Sequence, residues 1–251
     1  MFSLQTYKDF YESSDSTQAF YFTPLLTRQF ITQYLLEKKK ENPNYNVIDI
    51  GSGADFWTKP FADVTVDFYM TPQGSKQHFE VNLERESSWQ KLLDYVEENE
   101  KFDFCICSHT LEDLYYPFIA LENIPKVAKQ GIIVVPSMHK EMNKGDRGQP
   151  SKGYDHHRFI YHPCSDGRAL VIPKVGHMEY KKYDIDLSGQ QNELQIFWNG
   201  DIKFVEFFEY FEVWQGSKKI AALPNTKHIG NISSVIFEAY CSINPNKPTE
   251  Y

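Results

Sequence analysis

Asn46-Val47-Ile48-Asp49-Ile50-Gly51-Ser52-Gly53, followed after a loop by Ala62-Asp63-Val64-Thr65-Val66-Asp67, is the stretch whose reading decides the fold. Val47 to Ile50 is a short β-branched run, the composition of a buried parallel strand. It stops at Gly51-Ser52-Gly53, where residues without a side chain let a ligand approach the backbone. Asp49 lies inside the apolar run, where a carboxylate is costly unless hydrogen-bonded. A second short strand, Val64 to Val66, ends in Asp67. An acid there, somewhat under ~20 residues after the glycine turn, sits where the hydroxyls of a bound ribose lie in a doubly wound sheet. These strand tips are expected to hold an adenosine-type ligand together. Asp55 stands where a dinucleotide fingerprint has its third glycine, and Lys59-Pro60 prevents a long helix from starting there. A pyrophosphate seated on a helix N-terminus is thereby disfavoured, and NAD and FAD with it.

Working outward, Pro24 to Lys40 has helical spacing through Leu25, Leu26, Phe30, Ile31, Tyr34 and Leu35. Residues Met1 to Thr23 read as a short helix and a lid. A third strand, His78 to Leu83, contains Asn82. Ser87 or Ser88 caps a helix to about Glu98, with Trp89, Leu92, Leu93 and Val96 on one face. Phe102 to Cys107 is a fourth strand, running into Ser108-His109-Thr110-Leu111-Glu112-Asp113. A helix from Pro117 to Lys129, interrupted at Pro125, leads to a fifth strand, Gly131 to Val135. Strand and helix alternate, which implies a parallel sheet covered on both faces, with ligands at the strands' carboxyl ends. Met138 to Ser151 is a polar loop, Tyr154-Asp155-His156-His157-Arg158 follows, and short strands are predicted at Ala169–Ile172, Leu194–Trp198, Ile202–Tyr210 and Ser234–Tyr240. The expected fold is α/β: a Rossmann-like, doubly wound, mostly parallel sheet over residues 1–137, with an antiparallel β-rich extension over 138–251, integrated into one domain.

With 251 residues the chain can bury a large single core. Its formal net charge is −8 and its densest basic run, Lys38-Lys39-Lys40, reads as a solvated helix end, so nucleic acid is not an expected partner. No apolar stretch approaches the ~20 residues that span a bilayer, and the polar N-terminus reads as neither signal peptide nor anchor. The four cysteines form no Cys-x-x-Cys pair; Cys105 and Cys107 share one face of a strand and cannot bridge each other. A cytoplasmic protein with reduced thiols is expected. The oligomeric state stays open.

In this order the segments resemble a class I S-adenosylmethionine-dependent methyltransferase. The resemblance rests on Val47-Ile48-Asp49-Ile50-Gly51-Ser52-Gly53, on Asp67, on Phe102 to Asp113, and on Lys126 to Pro136, and it covers residues 25 to 137. It implies that Asp49, Gly51, Ser52 and Gly53 line the methionine end, and that Asp67 takes the ribose hydroxyls. It further implies that Phe68, Asn82 and Leu83 lie beside the adenine, with Ser108 and His109 under the sulfonium. The sequence departs from the family pattern at Asp55, at Asn82 in place of an acid, and at Asp113 in place of a histidine.

The second half bears on the acceptor. It is similar to methyltransferases associated with surface glycans, and Tyr154, Phe197 and Trp198 suit stacking on a sugar face. A sugar hydroxyl needs a general base or a metal ion to become a nucleophile. His109, His156 and His157 are the candidate bases. Glu112, Asp113 and Asp155 are candidates to orient a histidine or to hold a divalent cation such as Mg or Mn. Against these stand a structural histidine pair, a zinc set of His156, His157, His162 and Cys164, and a capping role for Glu112 and Asp113. The expected activity is O-methylation of a glycan or small molecule. The alternatives are N- or carboxyl-methylation of a metabolite, and a non-catalytic cofactor-binding scaffold.

Overall fold

The chain is described from a computed structural model covering residues 2–24, 28–54, 57–69, 71–141, 153–154, 156–174, 192–206 and the strands at 213–215 and 218–221. Leu25, Leu26, Asp55, Asp155, Cys241 and the predicted strand Ser234–Tyr240 lie outside the described residues. In chain order the elements are α1 (Leu4–Ser13), β1 (Gln18–Thr23), α2 (Arg28–Glu41), β2 (Val47–Ile50), β3 (Val64–Asp67), β4 (Gln77–Glu80), a 3-10 turn (Glu86–Trp89), α3 (Gln90–Asn99), β5 (Phe104–Ser108), α4 (Phe118–Val127), β6 (Gln130–Pro136) and α5 (Met138–Glu141). The second half adds β7 (Phe159–Pro163), β8 (Ala169–Pro173), β9 (Glu193–Asn199), β10 (Phe204–Glu206), β11 (Val213–Gln215) and β12 (Lys218–Ala221).

The run Val47–Ile50 is buried at every position, as its composition requires, and pairs in parallel with β3 on one side and β5 on the other. The seven-stranded sheet has the order β1-β9-β6-β5-β2-β3-β4. β4, β3, β2, β5 and β6 are parallel; β9 runs antiparallel beside β6, and β1 antiparallel to β9 closes the edge. The N-terminal segment therefore contains the expected helix and also a strand.

Period-2 alternation sorts each strand between two cores. Ile48, Ile50, Cys105, Cys107 and Ile133 face Trp89, Leu92 and Val96 of the 3-10 turn and α3, and Leu121 and Ile124 of α4. Val47, Phe104, Ile106, Ile132 and Val134 face Tyr7 and Phe10 of α1 and Ile31, Tyr34 and Leu35 of α2. Each fully buried Ile or Phe of these layers contributes about 1.5–3 kcal/mol. Helices thus cover both faces, the doubly wound arrangement.

The extension contains the expected antiparallel pairing, with two strands placed otherwise. β9 belongs to the main sheet. β7 and β8 are antiparallel, but β10 joins β8 in parallel, and this small sheet packs into the core that α3 and α4 share. Phe197 and Trp198 are fully buried, Phe197 among Tyr7, Phe10 and Tyr11, so neither can stack on an acceptor. Strand β9 is covered on both faces, which fixes its aromatics inside. The lysines at the end of α2 are more than a solvated face: Lys38 pairs with Glu12 at 2.8 Å and Lys39 with Asp63 at 2.5 Å.

Candidate active site

The tips of β2 and β3 are bonded to each other. Gly51 N and Ser52 N both donate to Val66 O, at 2.7 and 3.2 Å. Gly53 N donates to Asp67 Oδ2 at 3.0 Å, while Oδ1 accepts from Tyr69 N at 2.9 Å. Gly51 and Gly53 have φ of 74° and 64°, the left-handed region that favours glycine. A Cβ on Gly51 would stand 2.2 Å from Thr110 Oγ1, whereas a Cβ on Gly53 would meet nothing within 4 Å. Among the described residues, the space before Gly53 is open. Beside it, Ser52 Oγ is buried without a hydrogen-bond partner among the described residues. Phe68 and Tyr69 are 40 % and 85 % exposed and meet edge to face.

Asp49 is buried and accepts from the Thr58 hydroxyl. Burial pushes its carboxyl up to about 7, against the opposing pull of the Thr58 hydrogen bond and the Arg28 charge. Asn82 Oδ1 accepts from Glu84 N at 3.0 Å, and Asn82 N donates to Ser88 Oγ at 2.8 Å. Leu83 is buried, its carbonyl accepting from Trp89 Nε1. Val81 N donates to Asp67 O at 3.2 Å and keeps this turn beside Asp67.

β5 delivers Ser108 and His109 next to the glycine turn, where Thr110 Oγ1 donates to Gly51 O at 3.2 Å. His109 has φ of 52°, unusual for a side chain of this size. Its Nε2 lies 3.1 Å from Glu193 Oε1 and its Nδ1 3.3 Å from Glu112 Oε1. Burial pulls the imidazole down, but the two carboxylates outweigh it and raise it to about 9. The two carboxylates thus favour the protonated imidazole, an arrangement that suits His109 to a cationic role beside the glycine turn better than to the expected role of base. Glu193 was not among the predicted residues; a carboxylate opening an apolar strand, as Asp49 sits within one, was the available signal.

A second cluster lies one turn further on. Asp113 N donates to Thr110 O at 3.1 Å. Arg158 N and Phe159 N both donate to Glu112 O, at 2.6 and 3.2 Å, which straps the segment carrying His156 and His157 onto this loop. Asp113, His156 and His157 each present one donor atom, all within 4.8 Å of one another. Asp113 Oδ1 lies 3.8 Å from His156 Nε2 and 3.7 Å from His157 Nε2. Burial and the neighbouring Glu112 raise the Asp113 carboxyl, against the pull of the histidines. Behind His157 stands a pair absent from the sequence expectations, Glu141 and Lys174: Glu141 Oε1 is 2.7 Å from His157 Nδ1, and Lys174 Nζ is 2.8 Å from Glu141 Oε2.

Other expectations separate here. Glu112 and Asp113 do not cap α4, whose N-cap is Pro117 without a side-chain bond. Among the described residues the metal-competent group excludes Glu112, His162 and Cys164. His162 lies on β7, packed toward Phe22 and His139. Asp155, predicted as catalytic or metal-binding, is outside the described residues. The exposed aromatics nearest this cluster in sequence are Tyr115 and Tyr116, with the Arg158 guanidinium 3.4 Å from the Tyr115 ring centre.

No protein-family model matches the chain, and no curated protein matches it. Among solved structures, it is similar to the small RNA methyltransferase HEN1, with 12 % identity and a TM-score of 0.36 over 76 % of this chain and 27 % of that one. It is also similar to the methyltransferase domain of bacterial CtHen1-CN, with 10 % identity and a TM-score of 0.34 over 68 % of this chain and 98 % of that domain. The chain spans about a quarter of the length of the first. Among the described residues, no helix is long and apolar enough to cross a membrane.

Proposed function

We propose that the protein is an S-adenosylmethionine-dependent methyltransferase that methylates a hydroxyl of a sugar, borne by a glycan or a small molecule. The observation that carries this reading is the hydrogen bond from Gly53 N to Asp67 Oδ2, which joins the glycine turn to an acid at the carboxyl ends of adjacent parallel strands, where a ribose would be held. The residues suit that cofactor. Among the described residues, open space faces Gly53 and the buried Ser52 hydroxyl lacks a partner, and Phe68 offers an exposed ring. Asp67 already accepts two amides, and a carboxylate oxygen can accept more than one donor. Asp49, Gly51, Asn82, Leu83 and Ser108 would complete the walls. Bound there, S-adenosylmethionine supplies an electrophilic methyl group.

Alignment of the acceptor supplies much of the rate in such a transfer, and activation of its oxygen the rest. With His109 held as a cation, the groups available for activation are Asp113, His156 and His157, with Asp155 adjacent in sequence. They would serve either as a base or as ligands to a divalent ion. Two imidazoles with one carboxylate favour manganese or zinc over magnesium, which prefers oxygen donors. Net charge alone does not exclude a nucleic-acid acceptor, since a single ribose hydroxyl at a strand end requires few phosphate contacts.

Calorimetric titration with S-adenosylhomocysteine tests the cofactor half. Binding is expected in the wild type, weakened by about 1–3 kcal/mol in Asp67→Ala, the cost of unpaired partners; no heat in the wild type overturns the reading. Transfer to methyl glycosides, to amines, and to a short RNA with a terminal vicinal diol, each with and without EDTA, assigns the acceptor. Turnover only with amines overturns the hydroxyl reading.

A further inference from the structure

Behind the cluster of Asp113, His156 and His157 lies a buried ion pair. Glu141, closing α5, and Lys174, just after β8, have side chains 1 % and 2 % exposed and meet at 2.8 Å. Desolvating two charges costs several kcal/mol per ion, and well-packed apolar residues often replace such a pair without loss of stability. What an apolar pair cannot reproduce is the use of the second carboxylate oxygen. Glu141 Oε1 lies 2.7 Å from His157 Nδ1. An ionised carboxylate only accepts, so Nδ1 carries the proton, and Nε2 of the neutral ring is a lone pair.

That lone pair faces Asp113 Oδ1 at 3.7 Å, too far for a hydrogen bond. The same oxygen is buried, has no hydrogen-bond partner among the described residues, and lies 3.8 Å from His156 Nε2. Two donors on a tetrahedral ion with bonds of ~2.1 Å stand about 3.4 Å apart, within a few tenths of an ångström of both spacings. The three donor atoms lie within 4.8 Å of one another, and Asp113 Oδ1 is hydrogen-bonded to neither imidazole. The surroundings enclose Glu141: a Cβ on Gly153 would come within 2.3 Å of Glu141 Oε2. Lys174 Nζ also donates to Tyr154 O at 2.7 Å, and Lys174 N to Arg158 O at 2.7 Å, so the pair grips both ends of the segment that carries the histidines.

We propose that Glu141, with Lys174 as its counter-ion, is a positioning residue: it fixes His157 in the Nδ1-protonated form and aims Nε2 at a divalent cation shared with Asp113 and His156. This rests on the reading that those three residues hold such an ion. Carboxylates behind ligating histidines typically contribute about 10–100-fold to metal affinity.

The experiment uses the full chain stripped with EDTA and titrated with Co(II) alone, followed by its visible absorption. Wild type is expected to bind with a four- or five-coordinate spectrum. Glu141→Gln, which keeps the shape but can offer His157 an N–H instead of an acceptor, is expected to bind about 10–100-fold more weakly. Lys174→Met is expected to weaken binding too. Melting curves in EDTA separate lost affinity from lost folding. Independently of any variant, nitrogen-15 spectra of metal-free wild type should show His157 as the Nδ1–H tautomer. An Nε2–H tautomer, or wild-type cobalt affinity in folded Glu141→Gln, overturns this proposal and leaves the cation reading standing. A wild type that takes up no cobalt overturns the cation reading, and the proposed aim of His157 falls with it.

Discussion

Replacing Gly51 by alanine should cost about 3–6 kcal/mol of stability, assembled from a conformational and a steric contribution. The first is conformational: at φ of 74° an L side chain costs about 1–2 kcal/mol. The second is steric. The new Cβ would lie 2.2 Å from Thr110 Oγ1, 2.3 Å from its Cγ2 and 2.7 Å from its Cβ, so Thr110 must move as a whole. Overpacking of this kind costs about 1–3 kcal/mol, and displacing Thr110 also loses its hydrogen bond to Gly51 O, about 1 kcal/mol. The two contributions separate in a double-mutant cycle. Thr110→Gly removes the three atoms nearest the new Cβ but does not relieve the positive φ of residue 51, so Gly51→Ala combined with Thr110→Gly should recover the steric part only. Urea unfolding followed by circular dichroism should give a coupling of about 2–4 kcal/mol, the overpacking and the lost hydrogen bond together. Additivity within about 0.5 kcal/mol would refute the claim that Thr110 occupies the space Gly51 leaves. Because Thr110 joins the glycine turn to His109, the single variant should weaken S-adenosylhomocysteine binding as well.

Two further outcomes concern pH, both measured in EDTA. The rise of His109 from 6.5 to about 9 favours the folded state by about 3 kcal/mol; this stability is complete below pH 6.5 and is lost as pH climbs through 9. The advantage of wild type over His109→Asn, a residue that tolerates the same backbone, should therefore shrink by that amount between pH 6 and pH 10, and a constant difference would count against the two-carboxylate clamp. Asp49, raised from 3.8 to about 7, likewise favours the folded state only at low pH, so wild-type stability should fall as pH rises through that interval. Asp49→Asn should lack this slope and be the more stable protein at pH 8; parallel pH curves for the two would refute the buried, protonatable state of Asp49.

Val47–Ile50, Val64–Asp67 and Phe104–Ser108 were legible as strands, and Trp89, Leu92 and Val96 as one buried helix face, because β-branched runs and 3.6-residue spacing are local properties that act over a few residues. Alternation of strand and helix then fixed a parallel sheet, and with it the end of the sheet where Gly51, Gly53 and Asp67 would gather. The place of β9 between β6 and β1 was not legible, so Phe197 and Trp198 read as surface aromatics when both faces of their strand are covered. The roles of His109 and His157 also depended on distant partners. Glu193, with Glu112, favours the protonated form of the first, which is half-buried, and Glu141 with Lys174 sets the proton of the second. Glu193 and Glu141 lie 84 and 16 residues away along the chain. The sequence by itself determined the parallel strands, their order along the chain and the glycine turn, but not β1 or β7. Only tertiary structure decided which acid meets which imidazole, because the charge state of a buried group is set by what packs around it in space.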